Sequence, residues 1–332
     1  MDMSKGPGRC SRVGSTEKGT SQVIDLSNEQ VLVTGASGFV GRAVVRALEG
    51  QGAKVSTIDQ VDFPRSGKDG LVGDLTEPRV RDAAVTEGLT GIVHLAAVTS
   101  VLRSVEDPVG VYEANVGVTA SLLELARARG VERFVLSSTN AVVGDVGTAT
   151  IREDTPLHPL TPYGATKAAC EMLMSAYAGS YGMTTCALRL TNVYGPGMEH
   201  KDSLVARLMK AALSGATIEV YGDGTQVRDF VHVSDVIQGL LLAWEHRWVG
   251  PLIVGSGRSS SVLEVLDAAR RITGRPLPAT HVAPKAGEMP AVIVDIGRAR
   301  GLGYEPKVSL DEGIASAWVD FGGEPAAAHG GD

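Results

Sequence analysis

Hydrophobic positions in this chain fall into short runs separated by longer mixed stretches. Val31-Leu-Val-Thr34, Lys54-Val-Ser-Thr-Ile-Asp59, Gly70-Leu-Val-Gly-Asp-Leu75, Ile92-Val-His-Leu-Ala-Ala97 and Arg133-Phe-Val-Leu-Ser-Ser138 are such runs, most of them ending in small or polar residues. Near-continuous apolar runs of this length are what strands buried on both faces require. Between them, residues 41–50 and 111–129 repeat their apolar positions at helical spacing. Strands alternating with helices predict an α/β fold, a doubly wound parallel sheet whose ligands bind beyond the strands' C-terminal ends. Those ends carry Gly35, Asp59, Asp74, Ala96, Ala97 and residues 137–139. A further helix is expected where Thr161-Pro-Tyr-Gly-Ala-Thr-Lys begins, with Thr161 as cap and Pro162 in the first turn.

Composition narrows the class. The chain has 332 residues, 43% hydrophobic and 21% charged, enough for an ample core in one large domain or two. A formal net charge of −7, with basic residues scattered, excludes a general affinity for nucleic acid or acidic membrane and leaves room for a local anion site. Cys10, Cys170 and Cys186 form no CxxC pattern and are odd in number, so a reducing, cytoplasmic compartment is the simplest expectation. No apolar run is long enough to cross a bilayer. The opening segment, rich in Gly, Ser, Lys and Arg, lacks the apolar middle of a signal peptide; residues 1–28 are expected to be a disordered extension and 322–332 a flexible tail. No His, Cys or acid cluster has metal-ligand spacing, and His94 and His232, inside apolar runs, are expected to be structural.

Gly35-Ala-Ser-Gly38-Phe-Val-Gly41 is a GxxGxxG turn between a strand and a helix. Glycines there permit the tight turn and let backbone N–H groups approach a pyrophosphate at the helix N-terminus. Asp59, closing the next strand, suits the ribose hydroxyls of NAD and would repel the extra phosphate of NADP; Gln60 follows it, with Arg65 the nearby cation. Tyr163 and Lys167 lie four apart at the head of their helix and so share a face. Of the seven tyrosines, only Tyr163 has a lysine at this spacing.

In order along the chain, VLVTGASGFVG, Asp59, GDLT, HLAA, NVGVT, LSSTNAVVGD, YGATK, LRLTNVYGPG, YGDGTQVRDFVHVSDV and GEMPAVIVDIGRARGLGYEP resemble the NAD-dependent epimerase/dehydratase group of extended short-chain dehydrogenase/reductases. The likeness runs over about residues 31–321. It implies an NAD-binding Rossmann domain over 29–190 and, over 191–321, a mainly nucleotide-sugar-binding domain with segments returning to the first. It also implies cofactor contacts from Gly35, Gly38, Phe39, Val40, Gly41, Asp59, Asp74, Leu75, Leu95, Ala96, Ala97, Asn115, Ser137, Tyr163 and Lys167. Thr139, Tyr163 and Lys167 become the catalytic set. An adjacent ammonium should lower the phenol pKa of Tyr163 and fit it for proton transfer with a sugar hydroxyl.

The same resemblance places Thr139, Asn140, Tyr163, Asn192, Arg228, Lys285 and Glu288 at the substrate, which implies a nucleoside diphosphate and favours UDP. A guanidinium at Arg228 can grip diphosphate oxygens in two places, whereas an ion pair with Asp229 is the plainer alternative. Dehydratases of the group carry Asp and Glu directly after the catalytic threonine, where this chain has Asn140 and Ala141. Neither can shuttle a proton to carbon, which leaves inversion at C4 of a UDP-sugar through a transient 4-ketone, with NAD regenerated each cycle. Val143 replaces a tyrosine common in relatives beside the sugar. A nucleotide-sugar reductase or dehydrogenase with net redox is the alternative enzyme, and a non-catalytic NAD-binding regulatory protein the alternative of another class. Relatives imply a homodimer built as a four-helix bundle, for which Leu122, Leu123, Leu125, Met172, Leu173 and Met174 offer a face.

Overall fold

The structure, a computed structural model, describes residues 24–63, 70–284 and 289–324. The first half alternates as the apolar runs suggest: β1 (Gln30–Thr34), α1 (Phe39–Gly50), β2 (Lys54–Asp59), β3 (Leu71–Val72), α2 (Pro78–Ala84) and β4 (Gly91–His94). Next come α3 (Val101–Glu106), α4 (Pro108–Tyr112), a π-turn (Glu113–Gly117), α5 (Val118–Ala128) and β5 (Arg133–Thr139). A short 3-10 turn (Asn140–Val142), β6 (Thr150–Ile151), α6 (Pro162–Tyr181) and β7 (Thr184–Leu190) follow.

The second half supplies β8 (Asn192–Tyr194), α7 (Leu204–Ser214), β9 (Ile218–Tyr221), β10 (Val227–His232), α8 (Val233–Glu245) and β11 (Gly250–Val254). It ends with β12 (Ser259–Ser261), α9 (Val262–Thr273), β13 (Ala279–Val282), β14 (Ile293–Val294), α10 (Gly297–Gly301) and α11 (Leu310–Asp320).

Seven strands form one parallel sheet in the order β11-β7-β5-β4-β1-β2-β3. The order reverses between β1 and β4, and the crevice at such a switch point is where open α/β sheets bind ligands. Successive residues of β1 serve opposite faces: Val31 and Val33 enter one core cluster, Leu32 the other. On the first face α1 and α8 cover the sheet. On the second, α2, α5 and α6 do.

Residues 250–254 thus complete the main sheet. Around it the second half builds a smaller lobe: the three-stranded β12-β10-β8 sheet, the β13-β9 pair, and α7, α9 and α11 around a third core cluster. Phe39 of α1 belongs to that cluster with Tyr194 and Phe230, which ties the lobes together.

Three local expectations change. The run 70–75 pairs only at Leu71–Val72, because β3 is the sheet's edge and both residues are exposed. The run 92–97 ends as a strand at His94, and Leu95 to Ala97 continue half-buried, with the Leu95 and Ala96 N–H groups donating to Thr34. The helix expected over 111–129 contains the π-turn, so its two halves meet at a shifted phase.

Candidate active site

The glycine turn leaves no room for side chains. Gly35 has φ +67, and a Cβ there would lie 2.6 Å from the Ala96 nitrogen; one on Gly41 would lie 2.1 Å from the Gly35 carbonyl oxygen. Gly38 caps α1 in extended conformation without a side-chain hydrogen bond, so the first-turn N–H groups are left for a ligand. Beyond them runs a groove of about 420 Å³ lined by Gly35, Gly38, Asp59, Asp74, Leu75, Leu95, Ala96 and Ala97 among others. Asp59 accepts the N–H groups of Ser37 at 3.0 Å and Gln60 at 2.7 Å, which fixes its carboxylate at the groove's far end. Asp74 accepts from the Thr76 N–H and hydroxyl, both at 2.8 Å, and these bonds hold its pKa below the usual carboxylate value. The cradle and the carboxylate beyond it fit a dinucleotide.

Phe39, Val40, Gly41, Asn115, Ser137, Tyr163 and Lys167 are not on this lining, and Phe39 and Val40 sit differently from the rest of the turn. Their side chains pack into the cores, so only their backbone can face the groove. Gln60, next to Asp59, and Lys201, whose EHKD stretch reads as either an anion donor or a solvated loop, also line it, as do Thr99 and Arg103, to which no sequence motif pointed.

Off this lining, and joined to it through Asn115, which bonds both Val98 and Thr166, α6 meets the end of β5. Thr161 caps the helix by accepting the Gly164 N–H at 3.2 Å, as its position before Pro162 suggested. Three residues at successive turns of α6 then engage three consecutive residues of β5. Tyr163 hydrogen-bonds with the Thr139 side chain. Lys167 donates its ammonium to the Ser137 carbonyl at 2.9 Å, and Ser138 donates its hydroxyl to the Glu171 carboxylate. Glu171 in turn pairs with buried Arg189 of β7 at 2.7 Å. The Thr139 hydroxyl accepts the Ala141 N–H at 3.2 Å, which leaves its own proton for the Tyr163 oxygen. Glu171, one turn beyond Lys167, escaped the sequence reading, although its i+4 spacing was visible there.

The expected lowering of the Tyr163 pKa is not what the protein alone produces. Burial pushes the phenol up to about 12, and the Thr139 bond opposes this only in part. Lys167 is itself buried, and desolvation brings its ammonium down to about 8. A phenolate here therefore needs positive charge beyond the lysine.

Asn115 lies in the π-turn and is buried. Its Oδ1 accepts the Val98 N–H at 2.8 Å, and its Nδ2 donates to the Val98 carbonyl at 3.1 Å and to Thr166 Oγ1 at 3.0 Å. One side chain thus joins the loop after β4 to the Tyr163 helix. Behind it, Thr119 donates to the Asn115 carbonyl at 2.6 Å, so its oxygen accepts from His94 Nε2 at 3.1 Å. His94 Nδ1 must then accept from Thr34 Oγ1 at 2.7 Å, and the ring is neutral. Burial drives its pKa down to about 3, and the Lys167 charge adds to that. His232 is likewise bound, to Ser234 and Ser316.

Asn192 and Arg228 line a second pocket of about 150 Å³ with Tyr221, Gln226, Glu219 and Arg207. Asn192 donates to the Asp229 carbonyl at 2.9 Å, and Arg228 donates Nη1 to the Val227 carbonyl at 2.8 Å. Asp229 is buried elsewhere, accepting from Thr191, Ser256 and Arg258, and makes no ion pair with Arg228. Arg207 is an unforeseen second cation whose buried Nε has no hydrogen-bond partner among the described residues. Asn140 is buried beside Thr139, donating to the Leu190 carbonyl at 3.3 Å. Val143 packs within the core, so it offers the sugar no surface. Lys285, Glu288 and Arg65 lie outside the described residues. Among the described residues, no group of three His, Cys, Asp or Glu is placed to hold a metal ion.

A parallel seven-stranded sheet, a glycine cradle and a tyrosine–lysine helix define a dinucleotide-dependent enzyme of the short-chain type. Residues 31–253 match the model of the NAD dependent epimerase/dehydratase family, and the chain belongs to that family. It is 31% identical over 294 residues to a putative UDP-glucose 4-epimerase of Methanocaldococcus jannaschii, a match covering 86% of this chain and 95% of that one. Among solved structures, UDP-glucose 4-epimerase of Thermus thermophilus complexed with NAD is 33% identical with a TM-score of 0.83, covering 89% and 99% of the two chains. MoeE5 in complex with UDP-glucuronic acid and NAD is 35% identical with a TM-score of 0.81, covering 88% and 98%.

Proposed function

We propose that this protein is an NAD-dependent epimerase that inverts C4 of a UDP-sugar, a UDP-hexose or UDP-uronate, through a transient 4-keto sugar. One observation carries the reading. Tyr163, Thr139 and Lys167 meet where α6 reaches the end of β5, Asn115 ties α6 to Val98 on the wall of the glycine-lined groove, and Asn140 and Ala141 beside Thr139 offer no further acid or base.

Held by the glycine turn and Asp59, NAD would supply reversible hydride transfer at C4. The protein's task is the proton. Tyr163 takes it from the C4 hydroxyl as the ketone forms and gives it back to the same oxygen once the ketone presents its opposite face for reduction, with Thr139 bridging the two oxygens. With an ordinary pKa raised to about 12 by burial, Tyr163 works as a base only beside added positive charge. Lys167, at about 8, still carries charge at neutral pH and stands one helical turn away. The proton and the hydride both return, so turnover leaves no net redox change. Arg228, with Asn192 beside it, is assigned to the diphosphate and nucleoside.

The protein is read as a cytoplasmic homodimer. Buried, unpaired Cys170 and Cys186 support a reducing compartment. Leu122, Leu123 and Met174 are spent on the chain's own core, so the pairing face is drawn instead from exposed Leu102, Val105, Val109, Tyr112 and Met172, since α3 and α4 pack beside α6.

The test is to incubate the purified protein, without added cofactor, with UDP-glucose, UDP-N-acetylglucosamine and UDP-glucuronate separately, and to follow the anomeric protons by NMR. A slow approach to a mixture of C4 epimers in one tube is expected. In Tyr163→Phe the fold and bound NAD should persist while turnover falls roughly a thousandfold. Conversion only on adding NAD or NADH in stoichiometric amount would replace epimerisation with net redox.

A further inference from the structure

Residues 195–202 follow β8 of the smaller lobe yet cross to the cofactor groove of the larger one. Their path is fixed at several points. Arg42, in the first turns of α1, donates Nη2 to the Gly197 carbonyl at 2.8 Å and stands 3.8 Å from the Glu199 carboxylate. Asp320, at the end of α11, accepts the Gly197 N–H at 2.6 Å. Met198 is fully buried, and its carbonyl accepts the Lys201 N–H at 2.8 Å. Lys210 of α7 donates Nζ to the Lys201 carbonyl at 2.8 Å. Gly195 and Gly197 take φ +133 and +92, and a Cβ on Gly195 would meet the His232 ring at 2.7 Å.

The side chain this path delivers is Lys201. It lines the same groove as Gly35 and Gly38, with Arg103 of α3 also on the lining. Among the described residues, neither cation has a carboxylate within 4.0 Å, although Asp59, Asp74 and Asp107 share the groove. Those acids are engaged by Ser37, Gln60, Thr76 and Gly110 instead. Lys201 has an exposed residue surface, but protein around its ammonium brings its pKa below the ordinary lysine value. A cation on a groove lining with no carboxylate partner can meet a bound anion without first giving up a protein ion pair. Of a bound dinucleotide, only the pyrophosphate is anionic, and the glycine turn already directs it to this end.

We propose that residues 195–202 form a strap from the smaller lobe that retains the dinucleotide, with Lys201 as the cation set against its pyrophosphate. This rests on the reading of the groove as the NAD site. The strap couples cofactor retention to the arrangement of the two lobes, because its anchors are α1 on one side and α7 and α11 on the other. An enzyme that returns its hydride every cycle has no need to release the cofactor, and a strap of this kind slows release.

The experiment compares parent, Lys201→Met, Lys201→Arg and Arg42→Gln holoproteins. Bound NAD per chain is measured after prolonged dialysis at low and high salt, and NADH release is followed by the loss of its protein-bound fluorescence. Release from Lys201→Met should be faster by about tenfold, with the salt dependence reduced, while Lys201→Arg stays near the parent. Arg42→Gln keeps the lysine but loosens its strap, so its release should also quicken. If Lys201→Met does not fold, Arg42→Gln decides alone. Parental release rates in Lys201→Met, or in Arg42→Gln where it alone is available, would overturn the strap and leave the NAD site standing. A parent that neither carries nor takes up NAD would overturn the cofactor reading itself.

Discussion

The two cavities proposed for cofactor and substrate are made of different material. At the ends of the parallel strands the cofactor groove is walled by backbone and short side chains, Gly35, Gly38, Ala96 and Ala97, while long side chains such as Arg103 and Lys201 reach it from outside the sheet. The pocket around Arg228 is built mainly from long side chains on separate elements of the smaller lobe: Asn192 on β8, Arg207 on α7, Tyr221 on β9, Arg228 on β10. A backbone surface is fixed by topology and cannot change by substitution without moving the fold. A side-chain surface can be altered one residue at a time. The phosphate cradle should therefore be rigid here, whereas the side chain of Asp59 and the residues around Arg228 can be altered singly.

The sharpest way to break that contrast is to put a side chain into the backbone-built site. Gly41→Val places carbon against the Gly35 carbonyl, so the turn must open. Bound NAD should disappear and unfolding free energy fall by about 3 kcal/mol or more, read from urea midpoints. Retained NAD in a stable Gly41→Val protein would contradict the close fit.

Arg228→Gln tests the other material. Its kcat/KM for the UDP-sugar should drop about 100-fold, or about 2.7 kcal/mol, with NAD content and melting temperature unchanged. An unaltered kcat/KM would remove Arg228 from the substrate pocket.

The smallest effect concerns the polar wiring behind the groove. The His94 pKa of about 3 lies below its ordinary 6.5, so the folded state binds fewer protons than the unfolded one between these values. The contribution of His94 is complete above its ordinary pKa and is lost as pH falls toward the folded value, about 2 kcal/mol of it by roughly pH 5. His94→Gln should flatten that acid dependence of the urea midpoint. Parallel pH curves for parent and variant would show that His94 is not its source.

Much of the backbone-built half could be read from the sequence. β2 occupies Lys54–Asp59 as its apolar run suggested, β5 extends only one residue further, and Thr161 caps α6 where a threonine precedes Pro162. Those features are local: strand runs, glycine spacing and capping chemistry leave marks within a few residues. What could not be read depends on long-range packing. The raised phenol of Tyr163 comes from burial that no dipeptide records. Lys201 and Arg207 reach their cavities only because a loop and a helix of the smaller lobe are folded against distant partners. Val143, expected beside the sugar, is instead enclosed by the core at the point where the chain turns away from β5. The π-turn has no compositional signature at all.

That π-turn carries one more consequence. The helical stretch from Pro108 to Ala128 serves two clients with different angular demands: Asn115 must face the loop at Val98, while Leu122, Leu123 and Ala126 must face the sheet. An α-helix advances about 100° per residue, so a strictly regular helix offers both groups a single fixed phase. The wider turn at Glu113–Gly117 works as a rotary spacer, setting the catalytic end and the core end on their own headings. Length in this stretch is consequently quantised. A single-residue deletion that restored regular winding would turn one client away from its partner, however conservative the residues that remained.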